Sequence, residues 1–299
     1  MKKLLVLTAV LLLPFVVLGK SLNIVASTTD IADIMKAVAG DRANVECLMK
    51  GTQDPHSVEP KPSMVIKVRN ADIMAVVGMD LDMWANSVIE ASRNSKVSKG
   101  GQGYLDMSED IPKLEVPEGK IDARLGDVHI YGNPHYQLNP ENGKIMADEA
   151  LKKLIEFSPD DEKYFQANHD AFVKKLDEAI IRWKKTMAPL KGVKLAASHS
   201  CLLYFFDAFG IKQAGYIESK PGIPPSPAEV MALEKKIQDD RVKAVLVDQF
   251  FDMSEPEKLS ADTGIKPVVI STCVNGIDGT GDYIKLFDFD VNAVVSAVK

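Results

Sequence analysis

The sequence predicts an α/β fold of two lobes, in which parallel sheets flanked by helices are joined by one long rigid helix. Strand-like and helix-like segments alternate over residues 21–92 and again over residues 194–298. Such alternation favours parallel strands linked by crossover helices. Between the two regions, residues 158–190 show helical apolar spacing, with no Gly or Pro from residue 160 to residue 188. Together these observations predict two lobes with a helical strut between them.

The first lobe begins with a strand, after which Thr28 and Thr29 are candidate caps for a helix. We predict strands at residues 21–27, 45–49 and 73–77, and helices at residues 30–39, 63–70 and 82–92. Residues 95–134 contain many Gly and Pro and few periodic apolar residues, so we expect mostly loop there. Asn139 is the expected cap of a helix over residues 140–157.

The long helix begins at Ser158 and Pro159, and its apolar residues recur at helical spacing. About 30 residues at 1.5 Å per residue make it ~45 Å long. The second lobe then restarts the alternation, with Ser226 and Glu229 at the positions of a capping box. We predict strands at residues 194–198, 242–247 and 267–270, and helices at residues 201–209, 227–238, 256–263 and 283–298.

The overall composition is that of a globular protein and excludes several functions. Of the 299 residues, 26% are charged and 46% hydrophobic, and the formal net charge is −6. This is not the composition of a disordered or disulfide-scaffold chain. Because basic residues are not in excess, nucleic acid is not an expected partner. A monomer is the default expectation for the assembly.

The first residues predict a secretory signal peptide over residues 1–19. Lys2 and Lys3 precede an apolar run at residues 4–18, which is shorter than the roughly 20 residues that a membrane span needs. No Cys follows this run, so we expect no lipid-attachment cysteine and a periplasmic location. The predicted divisions are residues 1–19 for the signal peptide, 20–157 for the N-terminal lobe, 158–190 for the linking helix and 191–299 for the C-terminal lobe.

The three cysteines, Cys47, Cys201 and Cys273, form no C-x-x-C pair. A thiolate zinc finger or a dithiol redox motif is therefore not expected. Their odd number leaves at least one unpaired within a single chain. Cys47 and Cys273 lie in apolar, strand-like stretches, where a free cysteine commonly packs as a small hydrophobic residue.

Three of the five histidines stand where a ligand site is expected. His56 and His135 each follow a Pro in a loop, and His199 follows a predicted strand. The carboxyl edge of a parallel sheet is where ligands bind, and three imidazoles suit tetrahedral Zn²⁺. The wide spacing equally allows three separately hydrogen-bonded histidines. His169, on the long helix, is expected to be solvated.

The segments around these histidines resemble, in order, those of a known protein family. Residues 51–63, 133–140 and 197–200 are similar to the three ligand loops of the substrate-binding proteins of zinc and manganese ABC importers. Further matches lie between and after these loops, at residues 70–73, 78–84, 204–210, 226–229 and 263–264. Each piece is short, but the ordered combination covers nearly the whole mature chain.

The resemblance implies a metal bound between the lobes and delivered to a membrane permease. His56, His135 and His199 become the implied imidazole ligands. Manganese-preferring relatives usually carry an acidic residue at the third position, so His199 favours Zn²⁺ over Mn²⁺ as the transported ion, in agreement with the nitrogen donor.

The expected fourth ligand is Asp282, with Asp248 as the alternative and water or another residue as the third choice. Asp282 stands near the place of the family's acidic ligand before the terminal helix, although the match is off by one residue. Asp248 ends an apolar strand and is the alternative. The His-rich loop frequent in zinc-type relatives is absent, since residues 109–128 contain no His. Only His129 is nearby, and we expect it either to capture metal transiently or to have no role in binding. Gln137 and Asn139 also depart from the usual second loop.

Three other functions are alternatives. A zinc hydrolase would use three ligands and an open water site, but the sequence has no H-E-x-x-H and no G-x-S-x-G motif. A binding protein for a chelated metal, such as a siderophore or corrinoid, would need an aromatic or Arg-lined cleft. A surface adhesin is the third alternative. We predict a metal-capture protein that performs no chemistry on its ligand.

Overall fold

The computed structural model describes residues 21–117, 129–219 and 223–298. It contains two four-stranded parallel sheets, with strands in the spatial order 43–47, 22–26, 73–76, 104–106 in the first and 212–216, 194–197, 244–248, 266–270 in the second. Both have helices packed against them, and a long helix runs between the two halves of the chain. The predicted fold class is therefore confirmed. The predicted signal peptide lies outside the described residues.

The first sheet and its helices come from the N-terminal half. Its strands are β1 (Leu22–Ala26), β2 (Ala43–Cys47), β3 (Ile73–Val76) and β4 (Tyr104–Asp106). Its helices are α1 (Thr29–Ala39), α2 (Pro62–Arg69), α3 (Trp84–Ser92) and α4 (Asn142–Phe157). Strands β1 and β3 are almost wholly buried, as expected for the centre of a sheet covered on both faces.

The second sheet comes from the C-terminal half. Its strands are β5 (Lys194–Ala197), β6 (Lys212–Tyr216), β7 (Ala244–Asp248) and β8 (Lys266–Ile270). After the long helix α5 (Glu162–Met187) come α6 (Leu203–Phe209), α7 (Pro227–Asp240), α8 (Ser254–Thr263) and α9 (Tyr283–Val298). The capping box predicted for α7 is confirmed: Glu229 donates its backbone N–H to Ser226 Oγ, and Glu229 Oε2 accepts from the Ser226 N–H.

The long helix connects the halves and shares one apolar core with both. Helix α5 has 26 residues, and 3-10 turns at Pro159–Asp161 and Ala188–Leu190 extend the helical segment to 32 residues. Its buried apolar residues belong to a single core cluster that includes side chains from α1, α4, α6 and α9. Two smaller clusters lie on the other sides of the sheets. The core is thus continuous from one sheet to the other.

Three local predictions are wrong. Strand β4 lies within residues 95–134, which were expected to be mostly loop; it has three residues and is defined by pairing with β3. Strand β6, for which no prediction was made, is defined by pairing with β5. Helix α4 begins at Asn142, and Asn139 instead accepts the backbone N–H of Glu141. His169 is buried rather than solvated, since Asp148 of α4 lies 2.8 Å from its Nε2.

The described cysteines are all free, and Cys201 and Cys273 are buried, as small hydrophobic side chains would be. None of the helices in the described ranges is both long and apolar enough to cross a membrane.

Candidate metal centre

The structure brings His56, His135 and His199 together in one cleft, and we call these residues the histidine trio. Their ring centroids are 5.1, 6.3 and 5.7 Å apart. One donor nitrogen from each lies within 4.8 Å of the others, and the Nε2 atoms of His56 and His135 are 3.2 Å apart. Three residues that are far apart in sequence thus present their nitrogens to one point.

His56 is held by a tight turn in the loop between β2 and α2. Asp54 accepts the backbone N–H of His56 at 2.9 Å and the hydroxyl of Ser57 at 3.1 Å, the geometry of an Asx turn. The indole N–H of Trp84 donates to the carbonyl of Pro55 at 2.9 Å. These bonds fix the backbone beside His56.

His135 is positioned by hydrogen bonds from both halves of the protein. Asn133 accepts the His135 N–H at 3.1 Å and donates from Nδ2 to the carbonyl of Ser200, at 2.8 Å, next to His199. The hydroxyl of Tyr283, from α9, donates to the carbonyl of Gln137 at 2.6 Å. The second ligand loop is therefore tied directly to the third loop and to the terminal helix.

His199 follows β5 and contacts an aspartate at the end of the neighbouring strand β7. Its Nδ1 lies 3.1 Å from Asp248 Oδ2, which also accepts the hydroxyl of Ser198 at 2.7 Å. The other oxygen, Oδ1, accepts the Phe250 N–H at 3.1 Å. A carboxylate on Nδ1 fixes the ring orientation and leaves the other ring nitrogen available to a metal.

The environment shifts the pKa values of two members of the trio in opposite directions. Burial, together with the neighbouring histidines, holds the pKa of His135 well below its usual value, so this ring is neutral near pH 7. Burial also lowers the pKa of His199, but Cys201 and Asp248 act more strongly the other way, and the pKa of His199 lies well above its usual value. Burial raises the pKa of Asp248, but the hydrogen bond and charge of His199, together with the hydrogen bonds from Ser198 and Phe250, outweigh it and hold that pKa below its usual value.

The cleft around the trio has the character of a cation site. Its volume is about 490 Å³. The acidic side chains that line it are Asp54, Glu218, Asp248, Asp252 and Glu255. Among the described lining residues there is no Lys or Arg. Clefts lined by one sign of charge concentrate ions of the opposite sign, so this cleft favours a cation and disfavours an anionic chelate.

A second group of potential donors adjoins the trio at His199. A ligand atom of His199, the sulfur of Cys201 and an oxygen of Asp248 all lie within 4.8 Å of one another. Sequence reasoning treated Cys201 only as one cysteine of three. Its position two residues after His199 was the available clue, but nothing in the local sequence showed that its sulfur would face Asp248.

The structure does not bring Asp282 to the histidine trio. Asp282 accepts the Lys285 backbone N–H at 2.8 Å at the start of α9 and pairs with the Lys285 ammonium. Its side chain is 38% exposed and does not line the cleft. Asp248, the alternative, lies behind His199. His129 lies beside the trio, with its ring centroid 5.3 Å from that of His56.

Comparison with known proteins gives the family. A family model described as "ZnuA: Zinc-uptake complex component A periplasmic" matches residues 24–297. A crystal structure of ZnuA has the same fold, with a TM-score of 0.78 at 21% identity over 93% of this chain and 100% of that chain.

Two curated relatives are named for other metals. The manganese ABC transporter substrate-binding lipoprotein scaA of Streptococcus gordonii is 29% identical, covering 89% of this chain and 85% of its own length. The iron ABC transporter substrate-binding lipoprotein MtsA of Streptococcus pyogenes serotype M1 is 28% identical, covering 82% of this chain and 77% of its own length.

These relatives correct the predicted localisation. We expected a periplasmic protein without lipid attachment, but streptococcal relatives of this chain are named lipoproteins, a class anchored through a lipid-bearing cysteine. The claim of no lipid attachment is therefore wrong on this comparison, whereas an extracytoplasmic location is supported.

The match to the family model extends over almost the whole chain and includes the loops that carry His56, His135 and His199. The family and its relatives are transport proteins rather than enzymes, which excludes the hydrolase alternative. They work together with a membrane permease. The chain therefore belongs to the ZnuA family and is a substrate-binding protein of a metal ABC transporter, with a divalent metal ion as its cargo.

Proposed function

We propose that this protein captures Zn²⁺ through His56, His135 and His199 and delivers it to its permease. The observation that carries the proposal is the convergence of three imidazole nitrogens within 4.8 Å in an acidic cleft. Imidazole donors suit zinc, whereas manganese prefers carboxylate and other oxygen ligands. Because relatives are named for manganese and iron, the preference for zinc rests on the donor atoms of this chain.

In this proposal Asp248 orients His199 and is not the fourth ligand. Its contact with His199 Nδ1 supports that role, since metal-binding imidazoles commonly donate their other N–H to a carboxylate. Asp248 does not join the donor group of His56 and His135, and Asp282 is engaged at the start of α9. Water then completes a tetrahedral site.

The proposal includes the organisation of the chain. We propose that residues 20–157 and 191–299 are metal-binding lobes and that residues 158–190 link them. The continuous apolar core around α5 supports a link that keeps the lobes together. We also propose that the protein acts as a monomer, since a single chain supplies all three histidines.

Calorimetry on chelator-stripped protein tests the ligand set. We expect one tightly bound Zn²⁺ in the wild type, with affinity lower by about 100-fold or more in His56→Ala, His135→Ala and His199→Ala. Loss of a residue that only hydrogen-bonds to a metal ligand already lowers metal affinity about 10- to 100-fold, so loss of a ligand should cost at least as much. His169→Ala is the matched control, since it removes an imidazole outside the cleft. Zinc binding that survives all three changes would refute the proposed site.

Metal preference needs a separate experiment. Replacing His199 by Glu supplies an oxygen donor in place of nitrogen, so we expect the ratio of Zn²⁺ to Mn²⁺ affinity to fall. Competition between the two ions measures that ratio directly. An unchanged ratio would mean that His199 does not bind the ion.

A further inference from the structure

One thiol borders the cleft and has no part in the proposed zinc capture. Cys201 is 1% exposed, lines the cleft, and places its sulfur within 4.8 Å of donor atoms of His199 and Asp248. We call these three residues the Cys201 cluster. We propose that the Cys201 cluster is a second ion position, specific for thiophilic divalent cations such as Cd²⁺. This inference rests on the proposed function, because the two positions share His199.

The spacing of the donor atoms fits a metal ion. Tetrahedral sites with metal–sulfur bonds of ~2.3 Å and metal–nitrogen bonds of ~2.1 Å have ligand atoms roughly 3.5 Å apart. The donor atoms of the Cys201 cluster lie within 4.8 Å of one another, so a shift of about 1 Å is sufficient to surround an ion. Side-chain rotation alone covers such a distance.

The charge of the cluster also matches a divalent ion. On binding, the sulfur–metal bond forms as the thiol hydrogen leaves as a proton to solvent, and no electron changes hands. A thiolate and the Asp248 carboxylate together then neutralise a charge of +2. The histidine trio offers only neutral nitrogens. A buried charge is costly unless it is paired, so the Cys201 cluster neutralises the charge of a bound divalent ion better than the histidine trio does. Its sulfur is also a donor atom that soft metals prefer.

The other two cysteines have different surroundings. Cys273 is also 1% exposed but packs in the apolar cluster beside the first sheet, and Cys47 lies at its margin. Neither belongs to a group of metal-ligating side chains among the described residues. They are therefore matched controls for the loss of a thiol.

Sharing of His199 has a functional consequence. An ion in the Cys201 cluster uses His199 and Asp248, so the trio then lacks one of its ligands and the contact that orients it. The two positions are mutually exclusive. A thiophilic ion therefore displaces Zn²⁺ from this protein, and the cleft selects between ions by the donor set that each one prefers.

The test is a Cd²⁺ titration of the chelator-stripped full chain, followed in the ultraviolet by the thiolate-to-metal charge-transfer band. Sulfur coordination is checked by X-ray absorption at the cadmium edge. We expect the band and one sulfur ligand in the wild type, in Cys47→Ala and in Cys273→Ala. In Cys201→Ser, which nearly preserves the side-chain volume, the band disappears. The Cd²⁺ affinity of Cys201→Ser falls at least about 100-fold, more than is lost when a residue that only hydrogen-bonds to a metal ligand is replaced.

Zinc binding by the same variants separates this inference from the proposed function. We expect Cys201→Ser still to bind one Zn²⁺ through the histidine trio, which also shows that it is folded; Cys201→Ala is the second variant if the serine is destabilising. No band in the wild type, or a band that persists without Cys201, overturns the inference and leaves zinc capture intact. Loss of zinc binding in the His56→Ala variant but retention of the Cd²⁺ band is expected, because His56 is outside the Cys201 cluster. A wild type that shows the band but binds no Zn²⁺ would refute only the proposed zinc function.

Discussion

At the scale of single residues, Asp248 controls the state of His199. It lies 3.1 Å from His199 Nδ1 and contributes, with Cys201, to the raised pKa of this imidazole. Metal can bind only the neutral ring, so protons compete with the ion. If His199 binds the ion as proposed, Asp248 both orients this ring and influences the pH range in which the ion stays bound.

Replacement of Asp248 by Asn tests both effects. In the wild type, we expect zinc affinity to fall as pH decreases through the raised pKa of His199, beginning above the ordinary value of 6.5. The amide that replaces the carboxylate carries no negative charge, so the fall begins at lower pH in Asp248→Asn, while affinity at pH 8 drops about 10- to 100-fold. Calorimetry from pH 5 to pH 9 measures both.

The control for this prediction is Asp282→Asn. Asp282 accepts a helix N–H at the start of α9, and Asn is an equally good cap, so zinc affinity and its pH dependence are expected to match the wild type. A large loss of affinity in this variant, with none in Asp248→Asn, would reverse our assignment of the two aspartates.

At the scale of elements, helix α9 supports the ligand loop of the opposite lobe. Tyr283 at its first turn is 1% exposed, and its hydroxyl donates to the Gln137 carbonyl beside His135. Its backbone N–H donates to Asp33 of α1 at 2.9 Å. The terminal helix thus packs on the core and also holds the loop that carries His135 in place.

Tyr283→Phe tests the hydrogen bond to the Gln137 carbonyl because it removes only the hydroxyl. A buried carbonyl left without its donor costs about 1–3 kcal/mol, so we expect the free energy of unfolding to fall by about that amount and zinc affinity to fall with it. Tyr131→Phe is the control, since Tyr131 is 48% exposed. Denaturant unfolding measures the stability of Tyr283→Phe, and zinc competition measures its affinity. A stable variant with weakened zinc binding would still support a role of the hydroxyl in positioning the loop at His135. No change in stability or in zinc affinity would contradict that role.

At the scale of the whole molecule, the lobes are joined by contacts as well as by α5. Asp30 of α1 accepts the Val274 N–H at 3.0 Å across the lobes, and the Tyr204 hydroxyl contacts the loop at Pro112 and Leu114. Gly51 packs so closely on the backbone that a Cβ there would lie 2.2 Å from the Val274 carbonyl oxygen. These contacts restrict movement of one lobe against the other.

Asp30 makes this junction sensitive to pH. It is 2% exposed, and burial raises its pKa from 3.8 to about 7. A carboxyl whose pKa is raised by folding binds its proton more tightly in the folded state, so its contribution to stability is complete below pH ~4 and is lost as pH rises to about 7.

We therefore expect Asp30→Asn to remove part of the pH dependence of unfolding. Between pH 4 and pH 8, the wild type should lose about 1–4 kcal/mol of its free energy of unfolding relative to the variant. The upper figure corresponds to the whole rise in the pKa of Asp30, at about 1.36 kcal/mol per pKa unit. Asn can still accept the Val274 N–H. Denaturant unfolding of both proteins across this range gives the difference, and a constant difference would show that Asp30 does not titrate on unfolding.

The shared core also predicts how the protein responds to its ion. Because α5 and the apolar cluster connect both sheets, we expect zinc to order the ligand loops with only a small rotation of the lobes. Small-angle X-ray scattering with and without Zn²⁺ measures the radius of gyration. A large closure on adding the ion would contradict a rigid junction.

Most elements were predictable from the sequence because their signals are local. The spacing of apolar residues and the absence of Gly and Pro predicted α5, and Ser226 with Glu229 predicted the start of α7. Strands β4 and β6 escaped prediction because they are edge strands with little apolar pattern, defined by hydrogen bonds to β3 and β5. His169 was misassigned because its partner Asp148 is on another helix.

For the metal centre, local sequence marked His56, His135 and His199 as candidates, since each stands in a loop after a Pro or a strand, and the family resemblance implied that they bind one ion. It favoured Asp282 over Asp248 as the fourth ligand and did not reveal Cys201, because those roles depend on which strand ends and helices become neighbours. Pairing of β5 with β7 brings Asp248 behind His199, and Asp282 is directed to its own helix. Residue type and spacing determine which atoms can bind a metal, whereas only the packing of distant segments determines which of them meet.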